Sequence, residues 1–86
     1  MKMKYVYLVQ ERNFREGRKG EFCGVAYYTS YKKALSDFDN RVERYKNCEL
    51  IDSVDEKGNF LVTHIREFKW DEVFKTEIQL LKYEVY

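Results

Sequence analysis

The sequence predicts a single small α+β domain spanning residues 1–86. A mostly antiparallel sheet of about five strands is expected to carry one helix on one face. Aromatic residues make up 17% of the chain, and many stand in short alternating runs that are typical of strands. The apolar residues after Ser30 instead recur at helical spacing, which places one helix among the strands. The predicted order of elements is therefore β-β-α-β-β-β.

The first strand is predicted over residues 4–10, where apolar side chains occupy both alternating faces. Such a strand is normally internal and covered on both sides. Residues 11–20 are highly charged and contain two glycines, which predicts a mobile hairpin loop that is not essential to the fold. The second strand is predicted over residues 22–29. Its Gly24 and Ala26 share one face, where small side chains would let a helix approach closely.

The helix is predicted over residues 31–47, with Ser30 as its N-cap. Charged side chains dominate one side of this segment, and favourable i,i+4 pairs join several of them. The apolar positions follow helical steps and are expected to face the sheet; they are Ala34, Leu35, Phe38, Val42 and Tyr45.

The C-terminal half predicts two more strands, over residues 49–54 and 60–68, which form a hairpin around an Asp-Glu-Lys-Gly-Asn turn. Residues 71–80 allow two interpretations, a helical stripe or a strand. The alternation of Leu81, Tyr83 and Val85 favours a turn near residues 71–72 and a strand through much of 76–86.

Composition excludes several classes of protein. Hydrophobic content of 44% and charged content of 36% are typical of a globular domain. No apolar run approaches the ~18 residues of a membrane span. Residues 1–4 lead directly into a strand pattern, so we expect no secretory signal, a cytoplasmic location and no membrane partner. The net charge of +1 argues against a protein that binds nucleic acid over its whole surface, although residues 1–48 carry +5 and residues 49–86 carry −4.

No motif predicts an enzyme, a metal site or a cofactor site. His64 lies inside a predicted strand without a Ser- or Cys-centred motif around it, which favours an ordinary sheet histidine. Asp52, Asp55 and Glu56 flank a turn where acidic residues are common. Cys23 and Cys48 are widely spaced and are expected to be free buried thiols.

Two surfaces are candidates for binding. Several basic residues are expected at one end of the molecule, because the returning helix should finish near the first hairpin loop. They could hold an acidic protein or nucleic acid, or form a solvated loop; they are Arg12, Arg15, Arg18, Lys19, Arg41, Arg44 and Lys46. The second candidate is the sheet face that the helix leaves uncovered. Its tyrosines would form an interface, remain an ordinary exposed face, or be covered by the C-terminal segment; they are Tyr5, Tyr7, Tyr27 and Tyr28.

The chain resembles small phage- and prophage-encoded proteins of unknown function. The resemblance covers about half of the chain: Val6-Tyr7-Leu8-Val9, Gly24-Val25-Ala26-Tyr27-Tyr28, Ser30-Tyr31-Lys32-Lys33-Ala34 and Leu81-Lys82-Tyr83-Glu84-Val85. It implies an accessory protein of mobile-element origin and assigns no functional residue.

These observations predict a non-enzymatic protein-interaction module that binds itself as a homodimer or binds another protein. An inhibitor of a host protein is one specific form. The alternative is a small nucleic-acid-binding protein that uses the basic end.

Overall fold

The computed structural model describes residues 4–15, 21–55 and 62–85. Within these ranges the chain forms one helix and five strands in the predicted order, which confirms the α+β class. The elements are β1 (Lys4–Arg15), β2 (Glu21–Tyr28), α1 (Tyr31–Glu43), β3 (Glu49–Asp55), β4 (Val62–Lys69) and β5 (Phe74–Val85).

The strands form one antiparallel sheet in the order β2-β1-β5-β4-β3. The last strand, β5, therefore lies in the middle, between β1 and β4, and pairs with β1 along twelve positions from Lys4 opposite Val85 to Arg15 opposite Phe74. As predicted, β1 is an internal strand. The two edges of the sheet are β2 and β3.

Helix α1 packs on one face of the sheet. The Ser30 hydroxyl accepts a hydrogen bond from the Lys33 amide at 3.4 Å, so Ser30 is the N-cap. Ala34 and Phe38 are buried in one cluster with strand residues such as Val9 and Leu80, and the other predicted inward positions pack against this cluster. The predicted helical stripe is confirmed.

The helix is shorter than predicted and ends at Glu43 rather than at residue 47. The amides of Arg44, Tyr45 and Lys46 donate to the carbonyl three residues earlier, so the chain tightens into turns before β3. One more such bond runs from the Cys48 amide to the Tyr45 carbonyl, and the Tyr45 ring stacks on Phe68 of the sheet at 5.5 Å.

The predicted loop over residues 11–20 is too long, because β1 continues to Arg15. Three of residues 12–15 are charged or polar, yet β5 offers each of the four a pairing partner, and backbone pairing does not depend on hydrophobicity. The remaining residues of that segment, 16–20, lie outside the described residues. The expected mobility of the loop stays a prediction.

The C-terminal segment forms a strand rather than a helix, as favoured from the sequence. A tight turn precedes it, in which the amides of Trp70 and Asp71 both donate to the Phe74 carbonyl. The Trp70 ring stacks on Phe74 at 4.9 Å and its indole N–H donates to Thr76 at 3.0 Å. Trp70 and Phe74 therefore stabilise this turn, whereas Ile78 and Leu81 belong to β5.

Cys48 is a half-buried free thiol, while the side chain of Cys23 lies outside the described part of the chain. In the ranges that the structure describes, no helix is long and apolar enough to cross a membrane.

Candidate functional site on the sheet

The sheet has two chemically different faces, which the strand register defines. Val9 pairs with Leu80 and Ala26, and these side chains lie on the face that α1 covers. Residues of the opposite parity, such as Leu8 and Leu81, lie on the other face. We call the first the helix-covered face and the second the uncovered face.

Three of the four predicted interface tyrosines lie on the helix-covered face. Tyr7 stacks on Tyr31 of the helix at 5.4 Å, and the Tyr28 hydroxyl donates to Asp37 at 2.6 Å. Tyr5 has the same parity as Tyr7 and lies beneath the Lys82 ammonium, which is 4.4 Å from the ring centroid. The predicted position of Tyr5 and Tyr7 on the uncovered face is therefore wrong.

Tyr27 alone among the four lies on the uncovered face, and it is 70% exposed. The parity of β2 contained this information. If Gly24 and Ala26 face the helix, as predicted, then Tyr28 must face it too and Tyr27 must point away. For β1 both parities are apolar, so the sequence alone did not decide which tyrosines the helix covers.

The uncovered face carries an apolar row across three strands. Tyr27, Leu8 and Leu81 are successive cross-strand neighbours. The two leucines are each 8% exposed, whereas Val25 and Tyr83 beside the row are 48% and 39% exposed. The row is therefore a buried leucine pair with exposed Tyr27 at its β2 end and with Val25 and Tyr83 exposed beside it, an arrangement that leaves aromatic surface available for contact.

The next row on this face is made of amides. Gln10 on β1 donates a side-chain hydrogen bond to Gln79 on β5. Ile65 on β4 continues the row and Val25 begins it. Paired amides next to apolar side chains suit a contact surface that is partly dry and partly hydrated.

A charged row follows, with Arg12, Glu77, Glu67 and Asp52 opposite one another on four successive strands. Arg12 binds Glu77 at 3.2 Å. Burial raises the pKa of the Glu77 carboxyl. The positive charge of Arg12 works against this increase, whereas the negative charges of Glu67 and Asp52 add to it. Like charges directly opposite one another destabilise a sheet, so this row costs the isolated domain some stability.

The predicted basic cluster is not assembled as expected. Arg12 lies on the uncovered face because it has the same parity in β1 as Leu8, whereas Arg41 of the helix lies on the other side, 3.9 Å from Glu11. Arg41 binds Asp37 at 2.9 Å and donates to the Gly24 carbonyl at 2.9 Å.

The remaining basic residues are also dispersed. Lys46 lies 3.5 Å from Glu43, and the Arg15 guanidinium lies 5.8 Å from the centroid of the Phe74 ring. Arg44 is exposed, and Arg18 and Lys19 lie outside the described residues. The described basic residues therefore include at least three that are bound to carboxylates of the same chain, namely Arg12, Arg41 and Lys46.

His64 takes part in a hydrogen-bond network that the sequence analysis missed. Its Nδ1 lies 2.6 Å from Asp55 and its Nε2 lies 2.9 Å from the Tyr31 hydroxyl. Arg66 binds the same Asp55 carboxylate at 3.0 Å. The signal was present in the hairpin: Asp55 pairs directly with His64 when the two strands are antiparallel.

The order carboxylate, imidazole and hydroxyl is also found in nucleophilic triads. Here burial raises the pKa of the Tyr31 phenol, which keeps it protonated. Hydrogen bonds from His64 and Arg66 lower the pKa of the Asp55 carboxyl, with the His64 bond as the larger contribution. The network therefore connects the β3–β4 hairpin to the start of the helix.

Two further features bear on chemistry. A shallow cavity of about 450 Å³ is lined by Lys4, Tyr5, Val6 and Thr29, none of which belongs to the histidine network. Among the side chains that the structure describes, no group of three or more His, Cys, Asp or Glu residues is arranged to hold a metal ion.

No protein-family model, curated protein or solved structure matches the chain. The resemblance to small phage-encoded proteins therefore stays a prediction.

Proposed function

We propose that the protein is a non-enzymatic protein-interaction module that binds a partner protein through the uncovered face of its sheet. The observation that carries this proposal is the apolar row, in which Tyr27 lies next to the buried pair of Leu8 and Leu81, with Tyr83 two residues further along β5. Three of the six exposed large apolar residues among those described, Val25, Tyr27 and Tyr83, lie on this face. Exposed tyrosines beside a dry centre are typical of protein contact surfaces.

The order of the rows defines what the partner should offer. An apolar patch would cover Tyr27, hydrogen-bonding groups would meet Gln10 and Gln79, and a basic group would lie across from Glu67. The next row on this face, beyond Glu67 and Glu77, contains Lys69 and Lys75. The charge of the face therefore changes from negative to positive between two neighbouring rows. A basic group placed opposite the carboxylates would relieve a repulsion that the free protein carries.

The distribution of the basic residues favours a protein partner over nucleic acid. Phosphate binding needs several lysines and arginines on one surface. Arg12 and Arg41 lie on opposite sides of the sheet, and each is bound to a carboxylate. An inhibitor of a host protein, encoded by a phage or another mobile element, remains one specific form of the proposal.

Quantitative affinity capture from a lysate of the natural host tests the proposal, with nuclease-treated and untreated samples in parallel. The double variant Tyr27→Ser/Tyr83→Ser should lose the captured protein. The control Ile51→Ser changes a residue on β3 that is 38% exposed, close to the 39% of Tyr83, and should retain it.

The two alternatives give different results in the same experiment. Capture that disappears after nuclease treatment would favour the nucleic-acid alternative. A captured protein that the double variant and the control retain equally would exclude the uncovered face as the binding surface.

A further inference from the structure

The uncovered face contains the groups that the proposed function requires of its partner. Its apolar row ends in the exposed Tyr27. Its amide row holds Gln10 and Gln79, which are hydrogen-bonded to each other. Its charged row holds a basic residue, Arg12, on one side of β5 and a carboxylate, Glu67, on the other. The face therefore becomes complementary to a copy of itself when the copy is turned about β5.

The strand order determines which two-fold axis gives this complementarity. Strand β5 is central, with β1 and β4 beside it and β2 and β3 at the edges. When two such sheets pack face to face about an axis parallel to β5, β1 of one copy lies over β4 of the other, and each row lies over the same row. An axis that crosses the strands at the amide row would instead place the charged row over the apolar row, where the charges would lose water without gaining partners.

The charged row gives two equivalent ion pairs across the axis parallel to β5. Arg12 of each copy lies over Glu67 of the other, because they occupy the same row on β1 and β4. The Arg12 side chain is 38% exposed and Glu67 is half-buried, so both reach the surface. Arg12 already lies 3.2 Å from Glu77 of its own chain, and its planar guanidinium can bind the second carboxylate as well.

The amide row also lies over itself. Gln79 on the central strand meets its own counterpart, and a side-chain amide both donates and accepts hydrogen bonds. Val25 on β2 lies over Val54 on β3, because both belong to this row. The 48% of Val25 that is exposed in the single chain is thus placed against an apolar side chain.

We propose that the partner of the uncovered face is a second copy of the chain, bound face to face so that Arg12 of each copy pairs with Glu67 of the other. The inference rests on the proposed function, since it assigns an occupant to the same surface. Both helices lie on the outside of the resulting sandwich. The contact is the same patch on both copies, so the assembly closes as a dimer.

The area and the residues on the axis set the expected strength. Five strands about 4.8 Å apart and four rows about 6.8 Å apart give a flat area of roughly 650 Å² per copy. Side chains increase the accessible area above this value, towards the roughly 800 Å² per partner of a stable interface. Glu77 and Lys75 lie on the axis and meet their own counterparts, so like charges oppose part of the gain. We therefore expect a dissociation constant in the micromolar range.

Sedimentation equilibrium over about 1 µM to about 1 mM tests the association across that affinity range. The mass should rise from the 10.5 kDa of the single chain towards twice that value. Glu67→Arg should raise the dissociation constant by at least about tenfold, because the introduced arginine faces Arg12 of the other copy. Within its own chain it lies opposite Glu77, so the fold should not be weakened. The double variant Arg12→Glu/Glu67→Arg exchanges the two charges and should restore the dimer.

Asp39→Arg is the matched control, because it makes the same change of charge at an exposed position of the helix. It should dimerise as the unchanged chain does, and thermal melts establish that each variant is folded. A measurement by NMR on the unchanged chain does not depend on any variant. The side-chain amide signals of Gln10 and Gln79 should shift with protein concentration, whereas that of the exposed Asn40 on the helix should not.

Three results would overturn the proposal. The first is a monomeric mass at every concentration. The second is a dimer that Glu67→Arg weakens no more than Asp39→Arg does, and the third is one that the double variant fails to restore. The proposed function fails separately, since a different protein whose capture requires Tyr27 and Tyr83 would still support it if the chain were monomeric.

Discussion

The Tyr45 hydroxyl donates a hydrogen bond of 2.6 Å to the Glu11 carboxylate in the middle of β1. Glu11 is only 7% exposed, and Arg41 lies 3.9 Å away on its other side. A buried carboxylate is tolerated only where hydrogen bonds and a nearby positive charge replace its water. The turn after α1 therefore supplies the donor that lets a glutamate occupy the helix-covered face.

Tyr45→Phe should destabilise the domain by about 1–3 kcal/mol, since it removes a donor from a buried carboxylate. The phenylalanine ring can still stack on Phe68, so the loss reports on the hydroxyl. The free energy of unfolding from urea titration measures it. Tyr27→Phe removes the same atom from an exposed side chain and should have little effect; equal losses in the two variants would contradict this role of Tyr45.

Phe38→Ala should cost roughly 3–5 kcal/mol, because Phe38 is 2% exposed and fills the contact between helix and sheet. Asn40→Ala, two residues away on the exposed side of the helix, is the control. Thermal melts should show a large loss for the first variant and almost none for the second. Two small, equal shifts would mean that the helix does not pack as described.

Gly24→Ala should destabilise the protein by about 1 kcal/mol, because a Cβ atom there would lie 2.9 Å from Arg41 Nη1 and displace the guanidinium from the Gly24 carbonyl. Replacing glycine within a strand would otherwise be favourable. The same substitution in an Arg41→Ala background should therefore become neutral or stabilising. A double-mutant cycle measures this reversal, and additive effects would exclude the contact as its cause.

Acid should weaken the domain partly through Asp55. The hydrogen bond from His64, supported by Arg66, holds the pKa of this carboxyl below its ordinary value. The stabilisation of the folded state by ionised Asp55 is therefore complete above the pKa of about 3.9 that this carboxyl has in the unfolded chain. It is lost as the pH falls through the lower pKa of the folded state. Stability measured against pH should fall less steeply below about pH 4 in Asp55→Asn than in the unchanged protein. Asp39→Asn, at an exposed helix position, should follow the unchanged protein; identical curves for all three proteins would contradict the role of Asp55.

Much of the fold could be predicted from local patterns. Alternating aromatic and β-branched residues identified the strands, and the spacing of Ala34 and Phe38 identified the buried side of the helix. Element ends were less predictable, because they depend on partners distant in sequence. Residues 12–15 belong to a strand only because β5 continues opposite them. The helix ends shortly before Tyr45, whose hydroxyl binds Glu11 on β1.

The candidate site was predictable only in part. Tyr27 could have been assigned to the uncovered face from the small residues of β2 that face the helix. The charged row could not be predicted, because it requires the order of the strands: Arg12 and Glu77 come together only once β5 is known to pair with β1. The His64 network likewise requires the helix start to lie over β4.

A photo-crosslinking amino acid placed at single positions tests the central claim most directly. It would replace Tyr27, Tyr83 or, as control, Ile51, in protein expressed within the natural host. Illumination should give one and the same covalent adduct with another protein from positions 27 and 83, and none from position 51. An adduct of twice the chain mass would identify the partner as a second copy of the chain. If position 51 gave the partner adduct and positions 27 and 83 did not, the uncovered face would not be the binding surface.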